Sequence, residues 1–199
     1  MSDAAASVCG MTNEFAEAHR AASATFTDRI KGVTDWDAPA PVAGWTARSV
    51  VEHLLEWFPG MLAAGSDIEL PAGPDPKADL LAAWEHQRDA VQAVLEDPAT
   101  ASKTYSNPMT GDMPLPVMIQ NFYTADVFMH TWDLSRATGQ DDRLDADVAA
   151  GMLAGMEPIE EMLRGSGQFG TARGPLRDDA DATDRLMSFI GRDPYWTAS

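Results

Sequence analysis

Apolar residues recur every three or four positions along most of this chain, in long runs separated by stretches rich in proline and glycine. That period belongs to helices that bury one face, and it leaves little of the sequence free to form a sheet. The first run, residues 12–33, aligns Phe15, His19, Ala22, Phe26, Ile30 and Val33, with Thr12 placed as an N-cap. Residues 34–45 read as a loop. The second run, 46–65, opens at Thr46 and sets Val50, Leu54, Trp57 and Met61 beside Val51, Leu55, Phe58 and Leu62. Pro59 should bend that helix or end it early, because proline removes a backbone donor.

A third helix is expected over 76–96, with Asp75 as its cap and Pro76 in its first turn. Residues 97–116 are turn formers that suit a small hairpin near 101–114. A fourth helix runs from Pro116 to Thr138, with Gly139 just past its end. A fifth covers 146–164, capped by Asp145 and kinked at Pro158. A short last helix ends at Gly191, and Tyr195 and Trp196 should pack back onto the body. No repeat or break in composition marks a boundary, and 199 residues suffice for one full core. The expectation is a single all-α domain over residues 1–199, a four-helix bundle with additional short helices.

Charge narrows the partners. Fourteen Lys and Arg against 31 Asp and Glu give −17 with neutral histidines. A surface of that sign argues against nucleic acid, whose binding needs cations to displace counterions, and against an anionic membrane. No apolar run is long enough to span a bilayer, and the first residues lack a basic stretch followed by an apolar one. A cytoplasmic location without a signal peptide is therefore expected. Cys9, the only cysteine, rules out an internal disulfide and a cysteine-based zinc cluster, and it reads as incidental. A homodimer is compatible with exposed helix faces, although no residue demands it.

Asp126 and His130 interrupt the most apolar stretch of the fourth helix. Four apart, they lie one above the other, flanked by Ile119, Phe122, Tyr123, Val127, Leu134 and Ala137. A carboxylate on that inner edge costs several kcal/mol unless it is paired or bound to a cation. His53, three residues after Val50 and four before Trp57, belongs to the inner stripe of the second helix. A bundle can bring these three together, and two imidazoles with one carboxylate suit zinc with an open coordination position, or iron, nickel or cobalt. The same spacing also suits a buried hydrogen-bonded Asp126–His130 pair, or partners in Arg136 and Tyr123.

His19 is either a packed core histidine or part of a pocket lining, and His86 is expected to face solvent. Asp133 is a candidate to fix the tautomer and ring orientation of a ligand histidine. Trp57, Tyr123 and Trp132 are candidate pocket walls. Phosphate loops, nucleophile elbows and H-E-x-x-H motifs are absent from the sequence.

Three blocks, "GWTARSVVEHL" (44–54), "HTWDLSRATGQDDRLD" (130–145) and "DRLMSFIGRDP" (184–194), together resemble the DinB-like metal-binding superfamily. Within it, the pattern is most similar to the branch of the mycothiol-dependent maleylpyruvate isomerase N-terminal domain, common among actinobacterial proteins. The resemblance implies a four-helix bundle that binds zinc or a similar divalent ion through His53, Asp126 and His130. It further implies that a low-molecular-weight thiol such as mycothiol is activated there and attacks an electrophilic substrate, in a transferase or isomerase reaction. The chain departs from the pattern at Asp126, where relatives usually carry glutamate, and in "PVAGW", where a Pro-Cys pair is common. The additional C-terminal domain of the full isomerase is not expected in this length, so isomerase activity itself does not carry over. A metal-dependent hydrolase and a non-catalytic sensor, carrier or stress-response bundle are the alternatives.

Overall fold

The computed structural model describes residues 2–108 and 110–198, with side chains described at 14–100, 102–108 and 110–198. Its helices are α1 (Ser2–Lys31), α2 (Ala47–Gly65), α3 (Leu80–Glu96), the single-turn α4 (Pro98–Ala101), the single-turn α5 (Leu115–Met118), α6 (Ala125–Thr138), α7 (Ala146–Met156), α8 (Glu160–Gly165) and α9 (Ala182–Phe189). Strands β1 (Thr104–Asn107) and β2 (Gly111–Pro114) pair antiparallel as the expected hairpin, with Thr104 opposite Pro114. The chain is mostly helical with one small hairpin, the all-α architecture the periodicity called for. Among the described residues no helix is long and apolar enough to cross a membrane.

Packing divides the chain into two compact units, Met1–Gly32 with Ser49–His130, and Val33–Arg48 with Thr131–Ser199. The first holds four helical rods: α1, most of α2, α3, and the run from Leu115 to His130. Helix α1 buries Ala16, His19, Ser23, Phe26, Thr27 and Ile30, a 3–4 repeat that admits three polar residues. Helix α2 buries Val50, Val51, Leu54, Phe58 and Leu62, and α3 buries Leu80, Ala83, Trp84, Gln87, Val91 and Leu95. Phe26 meets Trp84 edge-on at 4.7 Å between ring centroids, and the Trp84 indole donates to Thr27 Oγ1 at 2.8 Å. Each large apolar side chain buried this way contributes about 1.5–3 kcal/mol.

Boundaries differ from the sequence expectation at three places. Helix α1 begins at Ser2, ten residues before Thr12, whose side chain lies outside those described, as does that of Cys9. Helix α3 begins at Leu80, because Asp79 Oδ1 accepts from Ala82 N at 2.9 Å. Asp75 instead caps a separate turn, accepting from Lys77 N at 2.9 Å. The fourth helix is three pieces: α5, a π-helical segment at Ile119–Thr124, and α6. In that segment the Ala125 amide reaches back to Gln120 O, five residues away, so 3.6-residue counting slips across it. Pro59, by contrast, does not end α2, which continues to Gly65.

In the second unit Asp145 caps α7, accepting from Asp147 N and Val148 N at 3.1 and 3.0 Å. Pro158 sits in a 3-10 turn, Glu157–Ile159, that separates α7 from α8. Asp181 caps α9 and also receives Arg143 at 2.6 Å. After α9, Gly191 lies so close to Gly170 that a Cβ there would fall 2.6 Å from its Cα, and its φ of +93° also favours glycine. Tyr195 does fold back: its hydroxyl accepts from Arg177 N at 2.8 Å, and the Arg177 guanidinium lies 3.9 Å from its ring centroid.

At Gly65, the last residue of α2, an added Cβ would stand 2.2 Å from the ring of Tyr105. That ring is fully buried and its hydroxyl donates to Met61 O at 3.1 Å, so it has little freedom to yield. Gly65→Ala should therefore cost about 1–3 kcal/mol in denaturant unfolding, as overpacked cores do. An unchanged midpoint would show that the hairpin is not seated against α2 in this way.

Candidate metal centre

Helix α2 turns the row His53–Trp57 toward the rim of its buried stripe, between buried Leu54 and exposed Glu56. Helix α6 is buried almost all round, and Asp126 and His130 share one of its faces. The two helices bring the three sequence-derived candidates together. His53 Nε2 lies 3.1 Å from Asp126 Oδ2, and His130 Nε2 lies 3.4 Å from Asp126 Oδ1. The two imidazole rings meet edge to face at 5.0 Å, and one ligand atom from each of the three residues falls within 4.8 Å of the others.

This donor set fits a divalent ion. Ligand atoms around a tetrahedral centre with bonds of ~2.0–2.2 Å stand roughly 3.3–3.6 Å apart. The His130–Asp126 contact falls within that range, and the His53–Asp126 contact, at 3.1 Å, lies just below it. At 3.4 Å the His130–Asp126 contact is longer than a good N–H···O hydrogen bond, so simple pairing of the two accounts for it poorly. The site also has an open side: 33% of the His53 side chain and 20% of Asp126 are exposed, against 6% of His130.

Trp57 does more than wall the site. Its indole N–H donates to Asp126 Oδ2 at 3.1 Å, a contact that the i, i+4 relation to His53 could have suggested from sequence. The ring packs edge-on against Tyr123 at 6.0 Å and against Phe58 at 5.5 Å. Tyr123 is fully buried and stacked on Phe58 at 4.0 Å, and burial pushes its phenol well above the ordinary range. Its hydroxyl accepts from Gln87 Nε2 at 3.0 Å, and the same amide nitrogen donates to Leu54 O at 2.7 Å. Gln87 sits within a charged stretch of α3 and carries no sequence signal for this role.

The remaining candidates are placed as follows. Asp133, fully buried, accepts from both Nε and Nη2 of Arg192, at 3.0 to 3.3 Å. Arg192 lies in the third resemblance block, but nothing local foretells the pairing. Trp132 is buried beneath the Arg136 guanidinium, 5.4 Å from its centroid, and Arg136 itself pairs with Asp142 at 2.6 Å. His86 is half-buried, with Nε2 3.1 Å from Pro71 O.

His19 is fully buried, with Nδ1 2.7 Å from Gln92 Oε1 and Nε2 3.2 Å from Ser23 Oγ. The Gln92 amide nitrogen donates to Ala16 O and Glu96 Oε1, which fixes its oxygen toward His19. His19 therefore carries its proton on Nδ1 and accepts from Ser23. Burial lowers its pKa from 6.5 to about 4, outweighing the Gln92 hydrogen bond that favours the charged form.

Fold and site together define a mostly helical protein in which two histidines and an aspartate converge closely enough that they could hold a divalent metal. The chain belongs to the mycothiol maleylpyruvate isomerase N-terminal domain family, whose model matches residues 16–135. It is similar to two uncharacterized proteins of Mycobacterium tuberculosis, from strains CDC 1551 / Oshkosh and ATCC 25618 / H37Rv. Each is 30% identical over 185 residues, covering 88% of this chain and 96% of its own. No solved structure matches the chain.

The His19 assignment has a measurable consequence. The unfolded chain binds a proton at its ordinary value of 6.5 and the folded one only near 4, so between these pH values the unfolded state holds more protons. His19 thus contributes stability that is complete above pH 6.5 and is lost as pH falls toward 4, at up to about 1.4 kcal/mol per pH unit. Its imidazole should show no NMR titration between pH 5.5 and 8, and His19→Asn should flatten the acid limb of a stability profile. A His19 resonance titrating near 6.5 would contradict the buried neutral form.

Proposed function

We propose that this protein binds a divalent metal through His53, Asp126 and His130 and uses it to activate a low-molecular-weight thiol of the mycothiol type. The thiol then attacks an electrophilic small molecule, in a transfer or isomerisation reaction. The observation that carries the proposal is the convergence of three ligand atoms within 4.8 Å at a partly open rim. Membership of a family named for a mycothiol-dependent reaction supports the thiol. Zinc suits two imidazoles and a carboxylate best, and nickel, iron or cobalt are served by the same donors.

A divalent ion bound there supplies the positive charge that favours the thiolate, the nucleophilic form, over the thiol. The protein's own groups do the rest. His53 and His130 would offer their unprotonated Nε2 atoms as ligands. Asp126 offsets part of the charge of whatever cation it holds. Trp57 gives the rim an aromatic flank, and the buried Tyr123–Phe58 stack behind it keeps that flank in place. No cysteine side chain is required for the chemistry, since the co-substrate brings the sulfur.

Protein purified without a histidine tag should carry about one zinc or similar ion per chain. His130→Ala should lose it while keeping its helical circular dichroism. The loaded protein should consume a thiol-reactive electrophile only when thiol is supplied. A well-folded wild type that takes up no metal from zinc- or nickel-supplemented medium would overturn the proposal.

A further inference from the structure

Asp126 is approached by two groups from the same helix, and only one of them is a metal ligand by chemistry. His53 Nε2 and Trp57 Nε1 both lie 3.1 Å from Oδ2, while His130 Nε2 faces Oδ1. An indole nitrogen is a donor with no acceptor capacity, so it can neither bind a cation nor accept a proton from the carboxylate. We infer that Trp57 is the positioning residue of this site: its N–H holds Oδ2, fixes the rotation of the carboxylate about its Cβ–Cγ bond, and so leaves Oδ1 turned toward His130. This inference rests on the metal site proposed above.

A ligand histidine needs its nitrogen lone pair for the metal, so the hydrogen-bond contact of His53 Nε2 with Oδ2 and metal binding exclude each other. The indole N–H does not face that choice and can stay on Oδ2 in both states. The ring is also well anchored for the purpose. It meets Tyr123 and Phe58 edge-on, those two are stacked on each other, and Tyr123 is pinned through Gln87 to the backbone of α2 at Leu54. A carboxylate with a free torsion would have to be ordered each time a metal bound. One already held by a donor on a locked ring presents its oxygen without that cost.

The test is a titration of metal-free protein with Co(II) and, by competition, Zn(II), comparing wild type with Trp57→Phe. Phenylalanine keeps the aromatic packing and removes the N–H. The variant should bind about 10–100-fold more weakly, the usual effect of losing a hydrogen bond to a metal ligand. Its Co(II) visible spectrum should also change, because the carboxylate no longer has one fixed presentation; a purely structural role for the ring would leave that spectrum alone. If Trp57→Phe fails to melt cooperatively, the wild type decides. Its Trp57 indole N–H resonance, assigned through contacts to Tyr123 and Phe58, should exchange slowly and shift when Zn(II) is added. Equal affinity and an unchanged spectrum in the variant, or an indole resonance indifferent to metal, overturn the inference and leave the metal site standing. A wild type that binds neither ion removes the site itself.

Discussion

A carboxylate on the inward edge of a helix is the constraint around which the first unit is organised. Taking an ionised group out of water costs several kcal/mol unless its oxygens find compensating charge or donors. Around Asp126 that compensation is assembled from two helices: His53 and Trp57 from α2, and His130 from its own. His53 and Trp57 reach the carboxylate only because α2 lies beside the start of α6, whereas His130 reaches it from one turn further along the same helix. The polar site and the apolar stripe beside it, Leu54, Phe58 and Tyr123, are therefore two consequences of one packing arrangement.

The polar groups of the first unit sort into two kinds by their exposure and their partners. His19, Gln92 and Ser23 form a closed set in which each donor has an acceptor, and burial holds His19 neutral. Such a set specifies one packing and offers nothing to a ligand. The Asp126 site is different, because its two imidazole nitrogens face the same carboxylate from a partly exposed rim and at least one contact is longer than a good hydrogen bond. His19 and His130, both buried, thus stand in different polar settings, decided by their partners rather than by residue type.

Much of this was legible in the sequence where the signal was local. The 3–4 stripe of α2, the Asp145 cap, the hairpin near 101–114 and the i, i+4 pair Asp126–His130 each depend on residues within a few positions of one another. The start of α3 was not legible, because Asp75 and Asp79 are equally good caps and only the burial of Leu80 separates them. The π-helical turn ahead of α6 has no proline or glycine to announce it. Yet it sets the rotation of Asp126 relative to Ile119 and Tyr123. Long-range polar contacts were equally silent: nothing near Gln87 points to Tyr123, and nothing near Asp133 points to Arg192.

The aspartate that sets this chain apart from its resemblance pattern gains a physical meaning from these contacts. Glutamate would extend its carboxylate one methylene further from the helix and add a torsion to be ordered. Aspartate stays close to α6, so its partners must come to it, and here α2 brings two of them one helical turn apart to the same oxygen. A shorter ligand held at both ends tolerates less variation in ion size and coordination number than a longer, freer one. In the metal site proposed above, the shorter acid would act on selectivity as well as affinity, by trading reach for rigidity. On this argument the character of the site resides as much in the helix that supplies His53 and Trp57 as in the acid itself.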